Sequence, residues 1–334
     1  MNAGEYPPRA DRLLERDRSV SRIRENIAAV VVTYNRKELL AQCLDSLLKQ
    51  SHPADALYLI DNHSTDGTYD WLREKHWIAP LACPDGEPRA TVARVPAPGF
   101  PDRVVEIHYV RMPENTGGAG GFHEGMKRAV AAGCDWLWLM DDDLWTAPDA
   151  LEVLVRTKDA RSDLREGSCI LNSLVLLRDP QNGAGARHAA DALAFPLQEL
   201  SPVRNPKTGI CPPKRGIYHW RLSEVRSQVQ DGLYRWICPF NGTFLAARIV
   251  TEIGLPNRDF FIWGDEKDFL WRAARRFDFY TVVDSRVFHP PVCVTRFDWK
   301  QYYHIRNSLV VNRHLDRPAL RNLKLILRSL ALGL

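Results

Sequence analysis

Largely apolar runs, too short to complete a helix, recur through the first half of the chain: IAAVVV at 27–32, ALYLI at 56–60, EIHYV at 106–110 and WLWLM at 136–140. Runs of this length predict strands buried on both faces. A different period lies between them. Leu39, Leu40, Cys43, Leu44, Leu47 and Leu48 recur at helical spacing, with Arg36, Glu38, Gln42, Asp45 and Lys49 on the other positions, which predicts an amphipathic helix. Helical segments at 68–75 and 122–132 continue the alternation. The pattern predicts an α/β fold on a doubly wound, mostly parallel sheet of Rossmann-like type.

Elsewhere the pattern weakens. Pro80, Pro84, Pro88, Pro96, Pro98 and Pro101 crowd residues 77–103, which predicts a loop excursion outside the sheet. Residues 179–216 are rich in Pro, Gly, Arg and Asn and predict long irregular connections of the kind that line substrate sites. No internal repeat, low-complexity tract or heptad is visible. At the end, Leu320, Leu323, Leu327, Leu330 and Leu334 form one helical stripe beside Arg317, Arg321, Lys324 and Arg328. Such a basic amphipathic helix can lie on a membrane face or pack against its own domain. The chain divides into an N-terminal extension (1–26), two halves of one α/β unit (27–145 and 146–290) and a C-terminal helical segment (291–334).

Composition adds limits. Hydrophobic residues make up 45% and charged residues 26% of 334 positions, ordinary globular material. A net charge of +4 is too small to argue for a nucleic-acid partner. Cys43, Cys83, Cys134, Cys169, Cys211, Cys238 and Cys293 are scattered, with no C-x-x-C pair, and read as reduced thiols of a cytoplasmic protein. The charged N-terminus lacks a signal-peptide core, and no apolar stretch is long enough to span a bilayer. The expectation is a cytoplasmic protein, soluble or peripheral on the inner membrane face.

Several polar clusters could carry chemistry. Asp141, Asp142 and Asp143 directly follow an apolar strand; three adjacent carboxylates repel unless a cation offsets them, and hard oxygen ligands suit Mg2+ or Mn2+. The bland alternative is a solvated acidic turn capping the next helix. The run 115–121, N-T-G-G-A-G-G, permits close backbone approach to a ligand, or is a plain flexible loop. His123 stands where a dinucleotide fingerprint needs glycine, and no G-K-[ST] follows, so Rossmann and Walker motifs are both absent. The polar turn 61–68 can cap a helix or meet a ligand. Asp265 and Glu266 sit among Phe260, Phe261 and Phe269, a setting that can raise a carboxyl pKa for general-base work, or is simply an acidic helix N-terminus. His289, before two prolines, is either a metal ligand or structural.

Taken together, V-V-V-T-Y-N-R (30–36), D-N-H-S-T-D-G-T (61–68), N-T-G-G-A-G-G-F (115–122), L-M-D-D-D (139–143), F-N-G-T-F (240–244), W-G-D-E-x-D-F (263–269) and the H-P at 289–290 resemble glycosyltransferase family 2, with the GT-A fold, over roughly 27–290. With Y-x-x-R-N at 303–307, the set is most similar to bacterial galactofuranosyltransferases that use UDP-galactofuranose; rhamnosyltransferases using dTDP-rhamnose are the alternative. The resemblance implies that Thr33, Tyr34, Asn35, Arg36, Asp61 and Asn62 hold the nucleobase and ribose. Asn115, Gly117, Gly118, Gly120 and Gly121 would line the donor, with Asp142 beside them. Asp141, Asp143 and His289 would hold Mn2+ or Mg2+. Glu266 would be the general base and Asp265 a positioning carboxylate, or the two exchange roles. Asn241, Gly242, Thr243, Trp263 and Asp268 would shape the acceptor site, the acceptor being a glycan or lipid-linked glycan. Residues 27–145 would then be the nucleotide-sugar half and 146–290 the acceptor half, and transfer would invert the anomeric centre. A nucleotidyltransferase would need glycines and a basic residue after the first strand, where this chain has T-Y-N-R. A catalytically idle scaffold would not need carboxylates at both sites.

Overall fold

A computed structural model describes residues 25–81, 87–161, 164, 168–178, 191–292 and 299–331. Its strands are β1 (Ile27–Thr33), β2 (Ala56–Asp61), β3 (Arg89–Ala97), β4 (Phe100–Arg111), β5 (Trp136–Asp141), β6 (Trp145–Thr146), β7 (Cys169–Leu177), β8 (Ala192–Leu200), β9 (Pro213–Arg221), β10 (Leu233–Tyr234), β11 (Thr243–Ala246) and β12 (Asp278–His289). Its helices are α1 (Lys37–Leu48), α2 (Thr68–Glu74), α3 (Gly117–Ala131), α4 (Ala150–Ala160), α5 (Leu222–Val225), α6 (Ala247–Ile253), α7 (Asp265–Ala273), α8 (Lys300–Val311) and α9 (Pro318–Ala331).

All seven residues of β1 are buried because β1 lies between β2 and β5, parallel to both. With β4 parallel to β2, these four apolar strands form the parallel centre expected. Around it the sheet is mixed, in the order β10-β12-β7-β11-β5-β1-β2-β4-β3: β11 runs antiparallel to β5 and β7, and β12 parallel to β7. Strands from both halves of the chain therefore share one sheet. Trp136 stacks on Phe244 at 4.8 Å, across the β5–β11 pairing that joins the halves, and burial of such aromatics carries much of the cohesion.

Two expectations are corrected. Residues 77–103 are not a loop outside the sheet, because β3 pairs antiparallel with β4 as its edge strand. An edge strand needs hydrogen bonds on one side only, so prolines are tolerated there; the pairing register shifts at Pro96/Ala97. The part of 179–216 that is described holds β8 and β9, which pair antiparallel, with β8 joined to β7 at Leu193; residues 179–190 lie outside the described residues.

Helix α3 begins at Gly117, five residues before the expected start, so the glycine run is the first turns of a helix. Packing explains the composition. A Cβ on Gly121 would stand 2.3 Å from a Val32 methyl, and one on Gly125 2.5 Å from a Val30 methyl. Glycine lets α3 lie directly on β1 despite its poor helix propensity. Helix α9 forms as expected but turns two polar positions inward: Asn322 Nδ2 donates to the Leu309 carbonyl, and Ser329 is buried. Leu320, Leu323, Ile326, Leu327 and Leu330 are exposed. Among the described residues no helix is long and apolar enough to cross a membrane. Cys43, Cys134, Cys169, Cys211 and Cys238 are in no disulfide; Cys83 and Cys293 lie outside the described residues.

Candidate active site

The register of the parallel strands puts Thr33 beside Asp61 and Val32 beside Asp141. The first, second and fourth motifs therefore meet at the carboxyl edge of the sheet, where open α/β sheets bind ligands. Thr33 Oγ1 donates to Asp142 Oδ2 at 2.7 Å. Arg36 Nη1 donates to Asp142 Oδ1 at 3.0 Å and to Asp143 Oδ2 at 2.8 Å. Both Asp142 oxygens are thus bonded, and Asp142 ties the turn after β5 to the turn after β1. Burial pushes its carboxyl up to about 6, although Arg36 and Thr33 pull the other way.

Most of the remaining residues expected at the nucleotide have their polar groups bonded within the protein. Asp61 is fully buried, its carboxylate accepting from Ser64 N at 2.7 Å and from the Tyr109 hydroxyl at 2.5 Å. Asn62 Nδ2 donates to the Gly117 carbonyl at 2.9 Å, and its Oδ1 accepts from Thr116 Oγ1 at 2.8 Å. Asn35 Oδ1 accepts from Thr65 N at 2.7 Å, and Asn115 Oδ1 from Gly117 N at 2.9 Å. These groups brace the loops at the carboxyl edge of the sheet. Tyr34 is 43% exposed and the Arg36 side chain 45%, which leaves both accessible to a ligand. Gly118 has open space where a side chain would be, whereas a Cβ on Gly120 would meet Thr116 Oγ1 at 2.3 Å.

His289 ends β12, whose pairing with β6 sets Phe288 against Trp145. Its Nδ1 donates to the Pro290 carbonyl at 2.5 Å, which in a neutral ring places the lone pair on Nε2, the usual orientation of a metal-ligating histidine. Nε2 faces Asp143 Oδ1 at 3.4 Å. That oxygen is buried and has no hydrogen-bond partner. With the ring neutral, two electron-rich atoms face each other, an arrangement a divalent cation relieves. The Phe195 ring stands edge-on to His289 at 4.8 Å. Among the described residues no group of three His, Cys, Asp or Glu side chains is assembled for an ion: Asp143 and His289 are brought together and Asp141 is not gathered in with them.

Asp265 and Glu266 open α7, after a turn in which Phe261, Trp263 and Gly264 all have positive φ, 65°, 61° and 101°. Two side-chain-bearing residues in left-handed geometry within three positions mark a strained segment of the kind found at functional sites. Burial, then the charge of Glu266 and a hydrogen bond to it, push the Asp265 carboxyl well up. Glu266 Oε2 also accepts from Gly264 N at 2.7 Å. Burial, then Asp143 and Asp142, raise the Asp141 carboxyl, and Glu266 adds to the effect. Turn and helix therefore lie within electrostatic reach of each other.

The other residues expected at the acceptor separate into two groups. Asn241 Oδ1 is buried without a partner, and Trp263 lies at the turn, its ring edge-on to His304 at 6.0 Å. By contrast, Thr243 is 1% exposed, donating to Asn172 Oδ1 at 2.6 Å and accepting from Phe240 N at 2.8 Å. Gly242, with φ 78°, packs where a Cβ would be 3.0 Å from Ser173 Cβ. Asp268 accepts from Arg272 Nε at 2.9 Å, from Arg313 Nη2 at 3.0 Å and from His314 Nε2 at 2.8 Å, leaving neither oxygen free for a substrate. Its role is to lock α7 to the segment after α8. Sequence reasoning passed over Cys238, whose thiol is pushed up by burial and then by Glu266. It also gave no role to His304, Arg306 and Asn307, whose one signal was the Y-H-I-R-N string.

The family model described as glycosyl transferase family 2 matches residues 28–96 and 97–179. The chain is 30% identical over 320 residues to galactofuranosyltransferase GlfT1 of Mycobacterium tuberculosis (strain ATCC 25618 / H37Rv), covering 90% of this chain and 85% of that protein. It is 31% identical over 273 residues to galactofuranosyltransferase GlfT1 of Mycolicibacterium smegmatis, covering 80% and 71%. In fold it is similar to a crystal structure of GalNAc-T7 with UDP, GalNAc and Mn2+, with a TM-score of 0.53 and 15% identity over 80% of this chain and 44% of that one. The chain belongs to glycosyl transferase family 2, has the GT-A fold and is a glycosyltransferase.

Proposed function

We propose that this glycosyltransferase moves a galactofuranosyl group from UDP-galactofuranose to a hydroxyl of a glycan or lipid-linked glycan, in a single displacement with inversion. The observation that carries the mechanism is the unpartnered, buried Asp143 Oδ1 facing His289 Nε2, within electrostatic reach of an acidic pair on α7. The choice of donor rests on the similarity to mycobacterial galactofuranosyltransferases along most of the chain.

In this reading Glu266 takes the acceptor proton as the acceptor oxygen attacks the anomeric carbon, and the bond from that carbon to the diphosphate oxygen breaks with UDP taking the electron pair. Asp265, its carboxyl pushed up by burial, hydrogen-bonds Glu266 and orients it. Arg36 and Tyr34 meet the nucleotide at the carboxyl edge of the sheet, and Asn241 and Trp263 the acceptor. Asp143 and His289 would hold the divalent cation, which when bound would offset charge on the leaving diphosphate.

The test is release of nucleoside diphosphate from UDP-galactofuranose and from dTDP-rhamnose, each with Mn2+, with Mg2+ and with chelator. Metal-dependent turnover of UDP-galactofuranose is expected. Preference for dTDP-rhamnose would replace the donor assignment, full activity under chelation would remove the metal, and binding without turnover of either donor would favour an idle scaffold.

A further inference from the structure

The R-N pair of the Y-H-I-R-N string lies on α8, outside the matched family segment and without a role in the account above. Asn307 is 1% exposed. Its Nδ2 lies 2.9 Å from the Phe260 carbonyl, 2.9 Å from that of Ile262 and 2.5 Å from that of Trp263. Arg306 Nε donates to Asn307 Oδ1 at 2.9 Å, which fixes the amide with its nitrogen toward the turn. Arg306 Nη2 donates to the carbonyls of Asp259 at 2.6 Å and Phe260 at 2.8 Å, while the guanidinium lies over the Tyr303 ring at 4.8 Å. Tyr303 in turn stacks on Phe261 at 5.0 Å.

Apart from the contacts of Arg306 with Asn307 and Tyr303, all of these end on residues 259–263, the strained segment that delivers Asp265 and Glu266. A turn with positive φ at Phe261 and Trp263 persists only where its surroundings over-determine it, and side chains on α8 supply that constraint. Gly264 closes the fit, since a Cβ there would stand 3.0 Å from Asn307 Cβ. The same turn reaches the donor side: the Phe261 carbonyl accepts from Ala119 N at 3.1 Å, and a Cβ on Gly117 would stand 2.0 Å from that oxygen.

We infer that Asn307, oriented by Arg306, is a positioning residue for the transfer reaction: it pins the 260–264 turn through backbone carbonyls so that Glu266 is aimed at the acceptor oxygen. This rests on Glu266 being the base. Helix α3 keeps its own anchors, Asn62 on the Gly117 carbonyl and Asn115 on Gly117 N, so the donor site should survive loss of the pin.

The experiment compares Asn307→Ala, the isosteric Asn307→Asp, Arg306→Lys, Glu266→Gln and the double variant Asn307→Ala/Glu266→Gln in the full chain. UDP release from UDP-galactofuranose gives kcat and KM, and calorimetry gives affinity for UDP with Mn2+. Asn307→Ala and Asn307→Asp should lose kcat about 100-fold, the scale of a misplaced reacting group, with UDP affinity within about threefold of the parent. Arg306→Lys should lose about tenfold. The double variant should be no slower than Glu266→Gln, because a residue acting only through Glu266 has nothing left to position. Near-parent kcat in the Asn307 variants, losses that multiply in the double variant, or UDP affinity falling in step with kcat would overturn the inference. If Asn307→Ala does not fold, Arg306→Lys decides by the same criteria. Normal turnover by Glu266→Gln would instead remove the base assignment.

Discussion

Asp142 and Asp143 are neighbours in sequence, yet their oxygens have different partners. Asp142 has both oxygens hydrogen-bonded, by Thr33 and Arg36. Asp143 keeps one buried oxygen bare in front of His289. Asp143→Ala should therefore abolish Mn2+-dependent UDP binding in calorimetry while the chain stays folded; retained metal-dependent binding would move the ligand role elsewhere. Asp268 shows a third environment for a buried carboxylate. Burial pushes its pKa up, but the hydrogen bond from His314 and the charge of Arg272 outweigh it and hold the carboxyl at about 2. The folded value lies below the unfolded value of about 3.9, so ionised Asp268 favours the folded state at neutral pH. That contribution, about 2 kcal/mol, should disappear as pH falls from about 4 through 2. Urea unfolding from pH 6 to pH 3 should show a shallower loss of stability for Asp268→Asn than for the parent; equal slopes would contradict the assignment.

At the scale of elements, the central strands were legible because strands covered on both faces must be apolar throughout, and β1, β2 and β5 are. The edge strand β3 was not. Its residues alternate between half-buried and exposed, and its prolines read as breakers when pairing on one side tolerates them. Helix α3 was legible only in its second half, since glycine discourages helices and nothing local reveals that Val30 and Val32 leave room for no other residue. The site divides in the same way: the D-D-D turn, the histidine and the acidic α7 start are visible as chemistry, whereas Asn307 acts on carbonyls 44 to 47 positions away and no spacing rule shows it. Helix α9 carries a reading of its own. With Asn322 and Ser329 turned inward and five leucine or isoleucine side chains exposed beside Lys324 and Arg328, we propose that it lies on an anionic lipid surface. Flotation with anionic liposomes should carry the whole chain and not a version ending at Asp316; equal flotation of both would remove the idea.

At the scale of the molecule, one sheet draws its strands from both halves of the chain, and the site forms where they meet. The parallel half supplies Thr33, Arg36 and the three aspartates from strand ends. The other half supplies His289 from β12 and the acidic pair from α7, and α8 holds that pair in place through the 260–264 turn. In the proposed mechanism donor and acceptor chemistry come from separate parts of the sequence, and fixing their relative orientation is how rate is gained. The most direct measurement of this account is UDP release from UDP-galactofuranose by Glu266→Gln, with UDP binding in Mn2+ measured on the same sample. The account predicts parent-like binding and a kcat lower by about 10² to 10⁴, the usual contribution of a general base; parent-like turnover would contradict it.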